Sequence, residues 1–411
     1  MLLGMGRAVT SRRATRLEFP RNPVLFVVLA LTACGSLALL TTVPLHEPGA
    51  GLLDGGIDLI VYRTGGWFVL EDLPLYDGPI VNGLLYTYTP FSALLFSVVA
   101  LAPTTGLVSA WLAFNIVVLC ACVVMSWVIL GYRLSARLVL ASALIGVTCM
   151  FLEPVRDTLQ FGQINLVLLL LILSGFVGNQ RGWHVGVGAG IATGIKLTPG
   201  LFIVFYCAAG RWRAAAVTAG VFVGTIVLAW LILPGDSYEY WFHTFFDSSR
   251  ISEDWHLANQ SVNGAIARLS HVPQAPALLW AMIAGIVAVA GLYVATRLYR
   301  RDERLLAAIV TGLTSSMVSP FSWSHHWVWF VPLTVYFLHR AFTSTAAWWA
   351  AAAALYCATA SWVYNFPNSN PVVGFYVWPV DAPLYNVTQN LYPLLYVPIL
   401  AMAFWVATRP Q

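Results

Sequence analysis

Long uncharged apolar runs are the feature that most restricts this chain. Val24 to Leu45 and Gly106 to Leu130 contain no ionisable acid or base, and each is long enough for the ~20-residue helix that crosses a hydrocarbon layer. Runs of this kind recur to the C-terminus. A transmembrane barrel would instead need alternating segments of about ten residues, and a water-soluble globule would need more polar surface than the sequence offers. Charged residues make up 9% of the 411 positions, against roughly 25% in a typical soluble domain. The chain therefore reads as an all-α polytopic membrane protein.

Its orientation follows from the basic residues. Arg7, Arg12, Arg13, Arg16 and Arg21 precede the first run, so a tail over 1–23 is expected to be cytoplasmic, followed by one membrane domain over 24–409. Val24 to Leu45 is too long for an ordinary signal core and no small-residue cleavage site follows it, so it reads as a retained span. Further spans are expected at Leu84 to Ala102, Gly106 to Leu130, Ala136 to Leu152, Ile164 to Val177, Val185 to Ala209 and Ala214 to Leu233. Five more follow at Ala275 to Thr296, Leu305 to Val318, Trp327 to Leu338, Ala346 to Val363 and Leu391 to Ala407, giving about twelve. Outer loops are expected at 46–83, 234–274 and 364–390. In the first of them, Ile57, Leu59, Ile60, Tyr62, Trp67, Phe68 and Leu70 suggest a short helix lying in the interface plane. Arg211, Arg213, the run from Arg297 to Arg304, Arg340 and Arg409 agree with an inner side. Counting alone conflicts with this between about residues 100 and 200, where it puts Arg133 and Arg137 outside and Arg156, Asp157 and Gln163 inside. The net charge of +4 sits at span ends, so it reports topology and gives no reason to expect a nucleic-acid partner. The six cysteines all fall within apolar runs, with neither disulfide nor zinc spacing.

Ionisable groups at membrane depth are costly and mark candidate function. Asp58 lies in the phrase Ile57 to Tyr62, where a helix would put Asp58 and Tyr62 on one face and Arg63 close by. At a lipid–water boundary its carboxyl would be raised from about 3.9, fit to take a proton from a hydroxyl. The alternative is a helix-capping acid. Around Glu153, Arg156 and Asp157, Pro154 and Gly162 interrupt the helix, and Gln163 and Asn165 open the next run either as caps or as ligands for sugar hydroxyls. Lys196, inside an apolar run and followed by Thr198-Pro199-Gly200, is either a cation aimed into a cavity, suited to phosphate, or a snorkelling side chain. His325 and His326 are adjacent, so on a helix they face different ways and form a poor metal pair. Either can serve a phosphate or a proton. In the second loop, Trp255 with Asn259 and Gln260 combines an aromatic face with amide donors, a pattern suited to carbohydrate.

These motifs, in order, carry a resemblance. Ile57 to Arg63 in the first outer loop is followed by Tyr86-Thr87-Tyr88-Thr89-Pro90, Gly162-Gln163-Ile164-Asn165, Ile195-Lys196-Leu197-Thr198-Pro199, Asn259-Gln260-Ser261 and His325-His326-Trp327. Over roughly 20–340 the chain resembles glycosyltransferase family 87, polyprenyl-phosphate-mannose-dependent mannosyltransferases of the GT-C architecture. Within it, the likeness is to α-1,2-mannosyltransferases of phosphatidylinositol mannoside synthesis in the actinobacterial envelope. The resemblance implies Asp58 as catalytic base, a polyprenyl-phosphate-mannose donor, a mannosylated phosphatidylinositol acceptor, inversion at the anomeric carbon, and work at the outer face of a bacterial inner membrane. On this reading Lys196, with His325 or His326 and with Arg63 and Arg156 in reserve, faces the donor phosphate. Tyr62, Gln163, Asn165, Trp255, Asn259 and Gln260 contact sugar and acceptor. Position 56 is Gly and position 60 is Ile, so Asp58 has no second aspartate for an Asp-x-Asp metal site, and neither a metal nor another cofactor is expected. The rival readings are a sister enzyme using another lipid-linked sugar or a lipomannan acceptor, and a lipid or sugar transporter. The latter lacks the expected inverted repeat.

Overall fold

The computed structural model describes residues 17–247, 250–364, 372–373 and 384–410. The arginines at 7, 12, 13 and 16 and most of the expected outer loop 364–390 lie outside them. Among the described residues the chain is a helical bundle with two short hairpins. In chain order the first helices are α1 (Pro23–Leu40), α2 (Ile57–Leu70), α3 (Pro90–Ala100), α4 (Leu107–Ile129), α5 (Ala136–Cys149), α6 (Glu153–Phe161) and α7 (Asn165–Ser174). Next come α8 (Val187–Ile195), α9 (Leu201–Ala208), α10 (Trp212–Ile232), α11 (Pro234–Phe242) and α12 (Val262–Ser270). The bundle is completed by α13 (Ala277–Arg300), α14 (Arg304–Val318), α15 (Phe330–Thr343), α16 (Ala347–Thr359), the one-turn α17 (Tyr385–Thr388) and α18 (Leu391–Thr408). Five of these, α1, α4, α10, α13 and α18, are long and apolar enough to cross a bilayer, and α6 with α7 makes a sixth if that pair, bent by 116°, is one span. The protein is a multi-pass membrane protein.

Local chemistry sets the helix starts. Asn22 accepts from the Val24 amide and Pro23 occupies the first turn of α1. Thr89 and Pro90 do the same for α3, and Ser135 caps α5. A side-chain oxygen satisfies an orphan amide in each case, and proline lacks the N–H that would go unpaired there.

Hydrogen bonds tie the helix ends into two groups. At one end, the Leu17 amide donates to Gly131 and the Arg133 amide to Leu17, at 3.0 and 2.8 Å. There too Arg304 reaches the Gly178 carbonyl at 3.1 Å, Arg301 the Arg409 carbonyl at 2.6 Å, and Arg340 pairs with Glu303 at 3.6 Å. At the other end Arg156 and Gln160 bond the carbonyls of Ala50 and Gly49 at 2.5 and 2.8 Å, and Trp111 bonds Gly162 at 2.8 Å. Arg133 and Arg137 thus lie with the remaining basic residues, and Arg156, Asp157 and Gln163 lie with the first loop. This reverses the result of counting.

Two of the expected spans do not run from end to end, which is why the count misleads. Val185 to Ala209 breaks at Lys196, whose backbone is extended (φ −146°, ψ 129°), and at the 3₁₀ turn Thr198–Gly200. Gly186, at the start of α8, lies against the Ala214 carbonyl and Thr218 of α10, the helix that follows α9. Helices α8 and α9 are therefore a hairpin with both ends at one end of the bundle and Lys196 at its tip. In the expected span Leu84 to Ala102, Leu84–Leu85 is a strand (β2) paired with Pro79–Val81 (β1). The helix that follows, α3, has 11 residues, only about 16 Å at 1.5 Å per residue. Thr89 at its head donates to the Gly194 carbonyl at the hairpin tip, 2.5 Å away. Removing these two crossings swaps the side of everything between them and leaves the rest of the chain unchanged.

Helix α2 packs closely on α3 because Gly66 has no Cβ. One built there would sit 2.3 Å from the Phe96 carbonyl oxygen, and a backbone clash cannot rotate away. Gly66→Ala is expected to destabilise the protein by about 1–3 kcal/mol through overpacking, read as a lower Tm in detergent. An unchanged Tm would contradict this packing.

Candidate active site

Asp58 lies in the first turn of α2, but the cap position belongs to Gly56 in the left-handed conformation (φ +58°), with no side-chain cap. The capping reading of Asp58 therefore drops away. Gly162 brings the α6–α7 corner against it: its φ is +70°, and a Cβ there would lie 2.6 Å from Leu59 Cβ. Only a glycine meets both conditions, and the corner delivers Gln163 to the Asp58 face of α2.

A polar network grows from that contact. Tyr62, one turn beyond Asp58, donates its hydroxyl to Gln163 Oε1 at 2.7 Å, and its ring stacks on Phe96 at 4.2 Å. Gln163 Nε2 donates to the Tyr88 hydroxyl at 3.3 Å, which lies 3.2 Å from that of Tyr62. Lys196 Nζ sits 5.5 Å over the Tyr88 ring and donates to Asn165 Oδ1 at 3.2 Å. Asn165 Nδ2 in turn donates to the His325 carbonyl at 3.1 Å. Asn165 therefore does not cap α7; its side chain links the hairpin tip to the histidine segment. Burial pushes the Asp58 carboxyl up to about 6, and a hydrogen bond from Gln163 and the Lys196 charge keep it from rising further. An acid so placed is ionised near neutral pH and still basic enough to accept a proton.

Beside the network opens a cavity of about 540 Å³. Tyr88, Lys196, His326 and Arg250 supply its polar wall, while Leu201, Val204, Val318 and Trp280 supply an apolar one. Among the described residues, neither ring nitrogen of His325 or His326 has a hydrogen-bond partner. Only His326 of the two lines the cavity; His325 packs between Phe161 and Trp323, at 6.1 and 6.2 Å.

The other expected site residues lie elsewhere. Arg63 turns to the Ala102 carbonyl at 3.5 Å. Arg156 is buried against Gln160 and Ala50. Trp255 is exposed and bonded to Glu253 at 2.6 Å. Asn259 and Gln260 are fully buried, and their amides are engaged by protein. Asn259 accepts from the Ser322 amide and donates to the Asp254 and Pro320 carbonyls, and Gln260 bonds Leu257, Gln389 and the Tyr392 amide. Asn259 through its side chain and Gln260 through its backbone amide, which donates to the Ser322 carbonyl at 2.7 Å, anchor the segment that carries the histidines, as does Asp157 through Ser324 at 2.7 Å. Among the described residues no three of His, Cys, Asp and Glu come together as metal ligands. Tyr88 and Arg250 were not expected at the site. Tyr88 lay inside a recognisable motif, whereas Arg250 had no sequence signal.

A model of glycosyltransferase family 87 matches residues 86–320, the stretch that supplies Tyr88, Gln163, Asn165, Lys196 and Arg250. The chain belongs to glycosyltransferase family 87. Among curated proteins, this family-87 chain is 30% identical over 362 residues to a polyprenol-phosphate-mannose-dependent α-(1-2)-phosphatidylinositol pentamannoside mannosyltransferase of Mycolicibacterium smegmatis, covering 85% of each chain. It is 32% identical over 292 residues to a polyprenol-phosphate-mannose-dependent α-(1-2)-phosphatidylinositol mannoside mannosyltransferase of Mycobacterium tuberculosis, covering 67% of this chain and 68% of that one. No solved structure matches it significantly. As a member of this family, the protein is a membrane glycosyltransferase.

Proposed function

We propose that this enzyme is an inverting mannosyltransferase, moving mannose from polyprenyl-phosphate-mannose to a mannosylated phosphatidylinositol with formation of an α-1,2 linkage. The activities of the two mycobacterial relatives supply the donor and acceptor classes. The observation that carries the reading is the network that joins the head of α2, through Tyr62, Gln163 and Tyr88, to a lysine at the rim of a mostly apolar cavity. Asp58 takes the proton of the acceptor hydroxyl as that oxygen attacks the donor's anomeric carbon. The bond from that carbon to the phosphate oxygen breaks, and its electron pair leaves with polyprenyl phosphate. Lys196 and His326 meet the charge that grows on the phosphate. Gln163 and Tyr62 hold the base, and the apolar wall receives the first prenyl units. A monophosphate leaving group requires less neutralisation than a diphosphate, so no divalent ion enters the scheme.

The GT-C architecture accompanies this reading. The sorting of helix ends supports about ten crossings instead of twelve, with α3 and the α8–α9 hairpin re-entrant and the arginine-rich end inside. Asp58 then lies toward the outer face of a bacterial inner membrane, and α2 with its exposed Trp67 lies in the interface.

The test is full-length protein in proteoliposomes, supplied with polyprenyl-phosphate-mannose and phosphatidylinositol mannosides of differing mannose number. The expected product is one α-1,2-linked mannose heavier. No transfer to any of them would overturn the proposal. The base works ionised, so kcat/KM should fall as pH drops through about 6, approaching tenfold per unit. A rate flat across that limb would remove Asp58 from the role.

A further inference from the structure

We propose that Tyr88 is a positioning residue that fixes the base and the phosphate-side cation of the transfer site relative to one another. The proposal rests on the mannosyl-transfer reading of the site and extends it to a side chain outside the expected catalytic set.

Three separate contacts converge on Tyr88. Its hydroxyl accepts from Gln163 Nε2 at 3.3 Å. Gln163 Oε1 accepts from Tyr62 at 2.7 Å; both of these neighbours are hydroxyls that can donate or accept, so the ionised Asp58 carboxylate, an acceptor only, decides which way the amide faces. One N–H of Gln163 is spent on Tyr88 and the other remains for Asp58. The ring face lies under Lys196 Nζ at 5.5 Å, where the negative quadrupole of the ring attracts the ammonium. The edge facing the cavity completes its wall. One side chain thus touches the partner of the base through its hydroxyl and the cation through its face.

The backbone around Tyr88 is held in a way that suits this task. Its carbonyl accepts from the Tyr76 hydroxyl at 2.7 Å. The next residue, Thr89, caps α3 and also bonds the Gly194 carbonyl two residues before Lys196. The turn carrying Tyr88 is therefore tied directly to the hairpin tip carrying Lys196. Without the hydroxyl, the Gln163 amide loses one of its two fixed ends. Without the ring, Lys196 retains Asn165 but loses the surface beneath it. The charged and titratable groups facing Asp58 are Lys196 from the hairpin tip, Tyr62 from its own helix and Tyr88 itself, with His325 and His326 facing Lys196 from the far side.

Two variants separate the two contacts. Tyr88→Phe keeps the ring and removes the hydroxyl; Tyr88→Leu removes both. Each is assayed as full-length protein in proteoliposomes beside wild type and Asp58→Ala, with Tm measured on the same samples. Tyr88→Phe is expected to lower kcat about tenfold with donor KM within about twofold of wild type. Its acid limb should move to higher pH, because a loosened Gln163 stabilises the ionised carboxylate less. Tyr88→Leu should add a rise in donor KM of several-fold. A Tyr88→Phe enzyme with wild-type kcat and an unmoved acid limb overturns the proposal. So does a loss of rate in both variants that follows a fall in Tm with the acid limb in place, since a packing role alone would give that result. Failure of wild type itself to transfer mannose would refute the mannosyl-transfer reading, a different outcome from either of these.

Discussion

Asp58→Ala is expected to lower mannosyl transfer by about 10²–10⁴-fold, the range over which a positioned general base contributes. Among the described residues, Asp58 is the carboxylate that joins the Gln163–Tyr62–Tyr88 network and feels the Lys196 charge. Asp58→Asn is the sharper version of the test. It conserves volume and can still accept a hydrogen bond from Gln163, but it cannot take up a proton. Both variants should insert normally and keep Tm close to wild type, because the head of α2 is capped by Gly56 and not by this side chain. Equal, deep losses in the two place the effect in proton transfer. An Asp58→Asn enzyme within a few-fold of the wild-type rate would show that the acceptor hydroxyl is deprotonated elsewhere.

Lys196→Met should lower kcat/KM by about 10²–10³-fold, the cost of losing one preorganised group at a developing anion. The donor is a phosphodiester with one negative charge and the departing polyprenyl phosphate gains a second. A fixed cation therefore gains more in the transition state than in the bound donor, and the larger share of the loss should appear in kcat. Methionine keeps most of the length and apolar character of the lysine stem while removing the ammonium over the Tyr88 ring, so the comparison isolates charge. A second readout is independent of rate. The Lys196 charge holds the Asp58 carboxyl down, so removing it should move the acid limb of kcat/KM to higher pH. A Lys196→Met enzyme with near wild-type kcat and an unmoved limb would assign the phosphate to another cation on the cavity wall, of which Arg250 is the obvious one.

Parts of this site are visible in the sequence because their signal is local. Asp58 and Tyr62 share a helix face by spacing alone, and Lys196 before Thr-Pro-Gly reads as a broken helix wherever the chain goes next. The amides show the opposite case. Asn259 and Gln260 look like sugar ligands by composition, yet their side-chain amides are spent on protein: Asn259 on Ser322 and Pro320 before the histidines, Gln260 on Leu257, Gln389 and Tyr392. Arg156 likewise reads as a buried cation but bonds its own helix and the first loop. An amide or guanidinium satisfied by protein and one waiting for a ligand have the same letters. The partner decides, and for Tyr62 and Gln163 that partner is 101 positions away.

The sequence by itself determined the solvent. Apolar run length adds up residue by residue and needs no knowledge of neighbours, so a helical, multi-pass membrane chain follows from it directly. Whether a broken run passes through or turns back depends on the direction the chain takes after the break, and that is set by contact with other helices. Gly186 against α10 returns the α8–α9 hairpin, and the Thr89–Gly194 bond keeps α3 beside its tip. Contacts of this kind decide which ends of the helices over 107–174 lie beside the first loop, and with them where Asp58, Gln163, Tyr88 and Lys196 meet.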